Sequence, residues 1–135
     1  MEWIASIAGE GAGSRREALR RSFEAVHEHE SALFRCLEDG LRALSAVRFH
    51  GAARGRPRTP TAAFTVEGIA PDEVARRLGA EGVFVWNGDF YATTVCDALG
   101  LSDCGGLIRA GIAPYTSEDD VRRLVVGVGR IAAGS

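Results

Sequence analysis

Val26, Leu33, Leu37, Leu41 and Leu44 recur at helical spacing along a segment that begins at Ser14 and runs to about residue 45, with Arg and Glu on its other side. A helix of that length with one apolar stripe must bury the stripe against another element. The residues that follow offer short apolar strands, punctuated by Gly and Pro, on which it can lie. Ser14-Arg15-Arg16-Glu17 has the capping-box pattern, in which the Ser oxygen and the Glu carboxylate each satisfy an exposed backbone donor. Val47–His50 reads as a strand ended by Gly51, and residues 51–60 as a Gly-, Arg- and Pro-rich loop. Thr61–Glu67 reads as a second strand with Phe64 and Val66 on one face, stopped by Gly68.

Pro71, followed by Asp72 and Glu73, opens a helix with its acids at the positive end of the dipole, and Leu78-Gly79 closes it. Gly82–Trp86 is an apolar run short enough for a fully buried strand, with Trp86 and Phe90 in the core and Asn87-Gly88-Asp89 as a turn. Phe90–Leu99 reads as a short helix, Gly100–Gly106 as a loop and Leu107–Ile112 as a further strand. Thr116-Ser117-Glu118-Asp119-Asp120 then caps a last helix carrying Val121, Leu124, Val125, Val128 and Ile131. The pattern predicts an α/β (α+β) fold: a small open sandwich, a mixed or antiparallel sheet of about four strands with helices on one face, preceded by the long helix. Residues 1–13, with Gly9, Gly11 and Gly13, are expected to form a flexible segment, and 14–135 a single small domain.

All 16 residues of the Lys+Arg count are arginines. With no ε-amine, the chain has no group of its own for Schiff-base chemistry. The formal net charge of −2 and the absence of a basic half exclude a nucleic-acid footprint, and the cluster Arg54, Arg56 and Arg58 reads as a solvated loop. Cys36, Cys96 and Cys104 form no CxxC pair and have no histidine at metal spacing, so no metal is expected. An odd cysteine count with no signal-like start points to the cytoplasm, and no apolar run reaches membrane-spanning length.

Arg109 sits inside the apolar strand LIRAGI, where a charge is expensive unless it meets a partner. The pattern leaves two readings even: an arginine facing solvent, or a guanidinium fork for a carboxylate. Asn87, Asp89 and Tyr91 stand at a strand exit, a common place for ligand contacts. His27 and His29 are two apart on the long helix and read as solvated, as does His50. The pattern singles out no catalytic residue.

Together, RTPTAAFTVEG (58–68), PDEVARRL (71–78), GVFVWNGDFYA (82–92) and LIRAGIAPYTSEDDVRRLVVGV (107–128) resemble the C-terminal small domain of class V aminotransferases, in the cysteine desulfurase-like group of pyridoxal-phosphate proteins of fold type I. The strand arginine followed by APYTSEDDVRRL is the most specific element. The resemblance implies that Arg109 binds a substrate α-carboxylate. It also implies that the cofactor lysine, the aspartate facing the pyridine nitrogen and most phosphate contacts belong to a preceding large domain. Tyr91 stands where desulfurases carry their nucleophilic cysteine, so persulfide chemistry is not implied even for an assembled enzyme.

The expected function is therefore a substrate-recognition domain, with Arg109, Asn87, Asp89 and Tyr91 as substrate-binding residues. Pyridoxal phosphate would bind only in assembly with a lysine-bearing large domain, in the same protein or a separate chain, and the family implies transferase or lyase chemistry on an amino acid. A homodimer is compatible with the family; nucleic acid and membrane are not expected partners. The alternatives are a non-catalytic binding or assembly module with the same fold, and a sulfur carrier using Cys96 or Cys104.

Overall fold

The computed structural model describes residues 2–7, 9 and 13–134. Part of the segment expected to be flexible is helical: α1 (Glu2–Ser6) packs against the long helix α2 (Arg15–Arg42). Of the glycines expected to break the chain there, Gly11 lies outside the described residues. Ser14 is the N-cap of α2, its Oγ accepting the Glu17 N–H at 3.3 Å. The helix stops before residue 45 because the chain tightens to enter the sheet: the Leu44 N–H donates to the Leu41 carbonyl and the Val47 N–H to the Leu44 carbonyl.

Strands β1 (Val47–His50), β2 (Thr61–Val66), β3 (Trp86–Gly88) and β4 (Leu107–Gly111) form one antiparallel sheet in the order β1-β2-β4-β3. Helices α3 (Pro71–Ala80) and α5 (Glu118–Ala133) join α2 on one side of it, and α4 (Thr93–Ala98) lies in the excursion between β3 and β4. β2 alternates strictly between buried and partly exposed positions, as expected of a strand with one covered face. Its Ala62, Phe64 and Val66 join Ile108 and Ala110 of β4, together with Leu33, Leu37 and Leu41 of α2, Val74 and Leu78 of α3, and Leu124 and Val128 of α5, in one core. Each large side chain buried there contributes about 1.5–3 kcal/mol over its exposed state. A complete capping box starts α5: the Ser117 Oγ accepts the Asp120 N–H and the Asp120 carboxylate accepts the Ser117 N–H.

The β3 region departs from expectation. The buried strand expected at Gly82–Trp86 is replaced by a three-residue strand further on, and Asn87-Gly88 belongs to that strand rather than to a turn. As an edge segment it is covered on one side only. Val83 and Val85 pack on the core, whereas Phe84 is 86% and Trp86 68% exposed. An apolar run was thus an alternation of inward valines and outward aromatics. The expected helix from Phe90 shortens to α4, because Phe90 and Tyr91 both adopt left-handed backbone (φ 55° and 60°) that no helix can include. The excursion is closed at its base where Gly106 approaches Gly88: a Cβ at 106 would lie 2.3 Å from the Gly88 carbonyl oxygen.

The 51–60 loop is more tied down than its composition implies. The Arg58 guanidinium stacks over Phe34 (4.6 Å) and Phe49 (5.5 Å) and donates to the Thr61 carbonyl, while Arg54 pairs with Asp39.

A candidate carboxylate-binding site on the open face

On the sheet's second face, away from α2, α3 and α5, the strand register lines up one transverse row: His50 on β1, Ala63 on β2, Arg109 on β4 and Trp86 on β3. Directly opposed residues share a face, so Arg109 has the small Ala63 on one side and Trp86 on the other. Arg109 is exposed, which resolves the cost of a charge in an apolar strand: the neighbours Ile108 and Ala110 point into the core and Arg109 points away from it. No carboxylate pairs with Arg109 among the described residues. Its guanidinium lies 5.0 Å from the centre of the Phe90 ring. An aromatic ring on the guanidinium face leaves the N–H donors at its edge free, and those donors form the fork that fits a carboxylate.

Phe90 reaches Arg109 because the turn after β3 is held in an unusual shape. Two consecutive bulky residues in the left-handed region cost on the order of 1 kcal/mol each. The Asp89 carboxylate accepts the Tyr91 N–H at 3.1 Å and stabilises that turn. Phe90 is half-buried against Arg109 rather than in the core, and Tyr91, at the turn's tip, is fully exposed.

The structure brings only part of the expected residue set together. Asp89 and Tyr91 occupy the turn that carries Phe90 to Arg109. Asn87 does not share their surface: it opposes Ile108, on the helix-covered face. Phe90 and Trp86 were hidden from sequence reasoning because aromatics in an apolar run read as core.

His50 is buried, not on the surface, and hydrogen bonds with the Thr65 hydroxyl at 3.1 Å. Burial, aided by the nearby Arg48, lowers its pKa below the usual histidine value. His29 is not simply solvated either; its Nε2–H donates to the Thr116 carbonyl at 2.9 Å, tying α2 to the turn before α5. Cys96 is fully buried, whereas Cys36 and Cys104 are exposed. Among the described residues no three His, Cys, Asp or Glu side chains converge as a metal site requires, and no helix is long and apolar enough to cross a membrane.

The fold and the arginine define a class: a small α/β domain with one helix-covered face and one open face presenting a guanidinium that has no carboxylate partner among the described residues. Residues 3–124 match the family described as aminotransferase class-V, and the chain belongs to that family, one of pyridoxal-phosphate enzymes. It is 30% identical over 125 residues to an uncharacterized protein of Mycobacterium tuberculosis, covering 93% of this chain and 30% of that protein. It is 35% identical over 99 residues to a probable cysteine desulfurase of Pseudomonas putida, covering 73% of this chain and 23% of the relative. Among solved structures, the apo cysteine desulfurase of Thermococcus onnurineus superposes with a TM-score of 0.79 at 24% identity, over 90% of this chain and 29% of that one. The chain thus spans less than a third of the length of these relatives.

Pyridoxal phosphate does not fit this chain's residues alone. Enzymes of this chemistry hold their cofactor as an imine on a lysine; the Arg109 cation is a guanidinium, and the sequence contains no lysine. The residues of this chain therefore supply no covalent anchor for the cofactor.

Proposed function

We propose that the chain is the substrate-recognition domain of a cysteine desulfurase-like pyridoxal-phosphate protein, with Arg109 binding the α-carboxylate of an amino acid. The observation that carries this reading is the position of Arg109: exposed on the open face, without a carboxylate partner among the described residues, and held by Phe90. The 86–91 segment lies beside Arg109 and would close over the cofactor side of the site. A lysine-bearing large domain, in the same protein or in a separate chain, would supply the imine, so this chain by itself is inactive. Asp89 serves this site by fixing the turn, and Tyr91, at its tip, is presented towards the ligand. With Tyr91 at that tip and Cys96 buried, transfer of sulfur through a cysteine of this segment is not part of the proposal.

Titration calorimetry of the chain with L-alanine tests the carboxylate role. Saturable binding that Arg109→Ala abolishes is expected; binding unaffected by that substitution overturns the assignment. Co-purification with a lysine-bearing large domain, giving the visible absorbance of bound pyridoxal phosphate, tests the assembly. Carboxylate binding without any such association would favour a stand-alone binding module of the same fold.

A further inference from the structure

Where the 51–60 loop runs beside the long helix, arginines gather without matching acids. Glu30, Phe34, Arg35 and Glu38, three or four residues apart along α2, form one wall of a pocket of about 290 Å³, and Arg56 and Arg58 of the loop stand on the other. The Arg58 guanidinium lies over the Phe34 ring, and its Nη2 donates to the Thr61 carbonyl at 3.0 Å. Its Nε and Nη1 are buried and have no acceptor among the described residues. Buried N–H donors of a cation are costly to leave unmet, so this guanidinium is short of acceptors.

The acids close to it are already committed. Glu38 pairs with Arg42 at 2.9 Å, and Asp39 pairs with Arg54 of the same loop. Arg35 and Arg56 are exposed and have no carboxylate partner among the described residues, and Glu30 has no cation there. Among the arginines and acids of the pocket, three uncommitted cations, Arg35, Arg56 and Arg58, thus face one uncommitted acid, Glu30. We infer that this pocket binds the phosphate group of a small molecule. A phosphate monoester carries a charge of about −1.5 to −2 and offers three acceptor oxygens, which answers both the surplus positive charge and the unmet donors. Arg58, stacked on aromatic rings, is the fixed base of the site, and Arg56 and Arg35 close on the phosphate from the loop and the helix. Gly55 has nothing within 4 Å of where a Cβ would stand, so the segment that carries Arg56 has room to move inwards. The pocket borders the loop after β1, whereas Arg109 stands on β4, and the inference does not depend on the carboxylate role of Arg109.

The test is a nuclear magnetic resonance titration of the chain with inorganic phosphate and, separately, with acetate at matched ionic strength, following the Arg58 Nε–H and the amides of Gly55 and Arg56. Phosphate is expected to saturate these signals and to bind about tenfold more tightly than acetate. Arg58→Met, which keeps an apolar side chain against Phe34, and the exposed Arg56→Gln should each weaken phosphate about tenfold, while Glu30→Gln should tighten it. A linear, unsaturated response to phosphate would mean that water alone serves the Arg58 donors, and would overturn the site. So would phosphate binding that both loop substitutions leave intact and Arg109→Ala removes. Acetate binding here as tightly as phosphate would overturn the assignment to phosphate.

Discussion

The two faces of the sheet are built from the same strands, residue by alternate residue, yet they do different work. On the covered face Phe64, Ile108 and Ala62 are completely buried beneath three helices, and shape complementarity decides what is allowed. On the open face the corresponding positions are Thr65, Arg109 and Ala63, and the ring of Phe90, from the turn after β3, lies over the exposed Arg109. Stability resides in the first face, and the proposed recognition site in the second. Since the side-chain period of a strand is two, a single residue step in β4 separates a core isoleucine from an exposed arginine.

Substitutions on each face can break that division. Phe64→Ala, in the middle of the covered face, should cost about 3–5 kcal/mol in the urea midpoint; a loss under about 1 kcal/mol would show that the helix layer is not the stabilising one. Gly127 on α5 lies against α3, and a Cβ there would sit 2.7 Å from the Leu78 Cδ2. Gly127→Val should therefore destabilise by about 2–3 kcal/mol through overpacking, and thermal melts showing no change would mean that this helix contact is loose.

His50 sharpens the comparison, as it belongs to the open face by register yet is buried. Its folded pKa is lowered, so below the unfolded value of 6.5 the unfolded chain binds the proton more readily than the folded one. This group thus adds nothing above pH 6.5 and makes folding less favourable as pH falls through 6.5 towards its folded pKa. His50→Gln should lose less stability between pH 7 and pH 5.5 than the parent, and identical losses would exclude His50 as the cause. The smallest effect on stability is expected at Arg109. Arg109→Ala should change the unfolding free energy by no more than about 1 kcal/mol while removing carboxylate binding. A larger loss of stability would make Arg109 a structural residue and weaken the functional reading.

The local elements were legible where chemistry is local. The Thr116–Asp120 cap, the Pro71 start and the β2 strand follow from neighbouring residues alone, and each appears as read, whereas the complete capping box stands at Ser117 rather than at Ser14. The β3 region was not legible, because a run such as GVFVW has the same appearance whether both faces are covered or one. The same ambiguity concealed that Trp86 and Phe90 lie beside Arg109 and that Asn87 turns to the helix-covered face. Asp89 and Tyr91 were legible as a polar strand exit, though not as the support for a ring over Arg109.

By itself the sequence determined the order of elements from α2 onwards, the fold class and the absence of a lysine amine for imine formation, since each depends on residue type or short-range periodicity. Only the tertiary structure decided that Arg109 faces outwards without a carboxylate partner among the described residues. It alone placed Trp86 across from Arg109 and folded Phe90 over the guanidinium. Those features depend on which strands pair, in what register, and which face the helices cover. These are long-range outcomes of burying one continuous core, and no short stretch of residues encodes them.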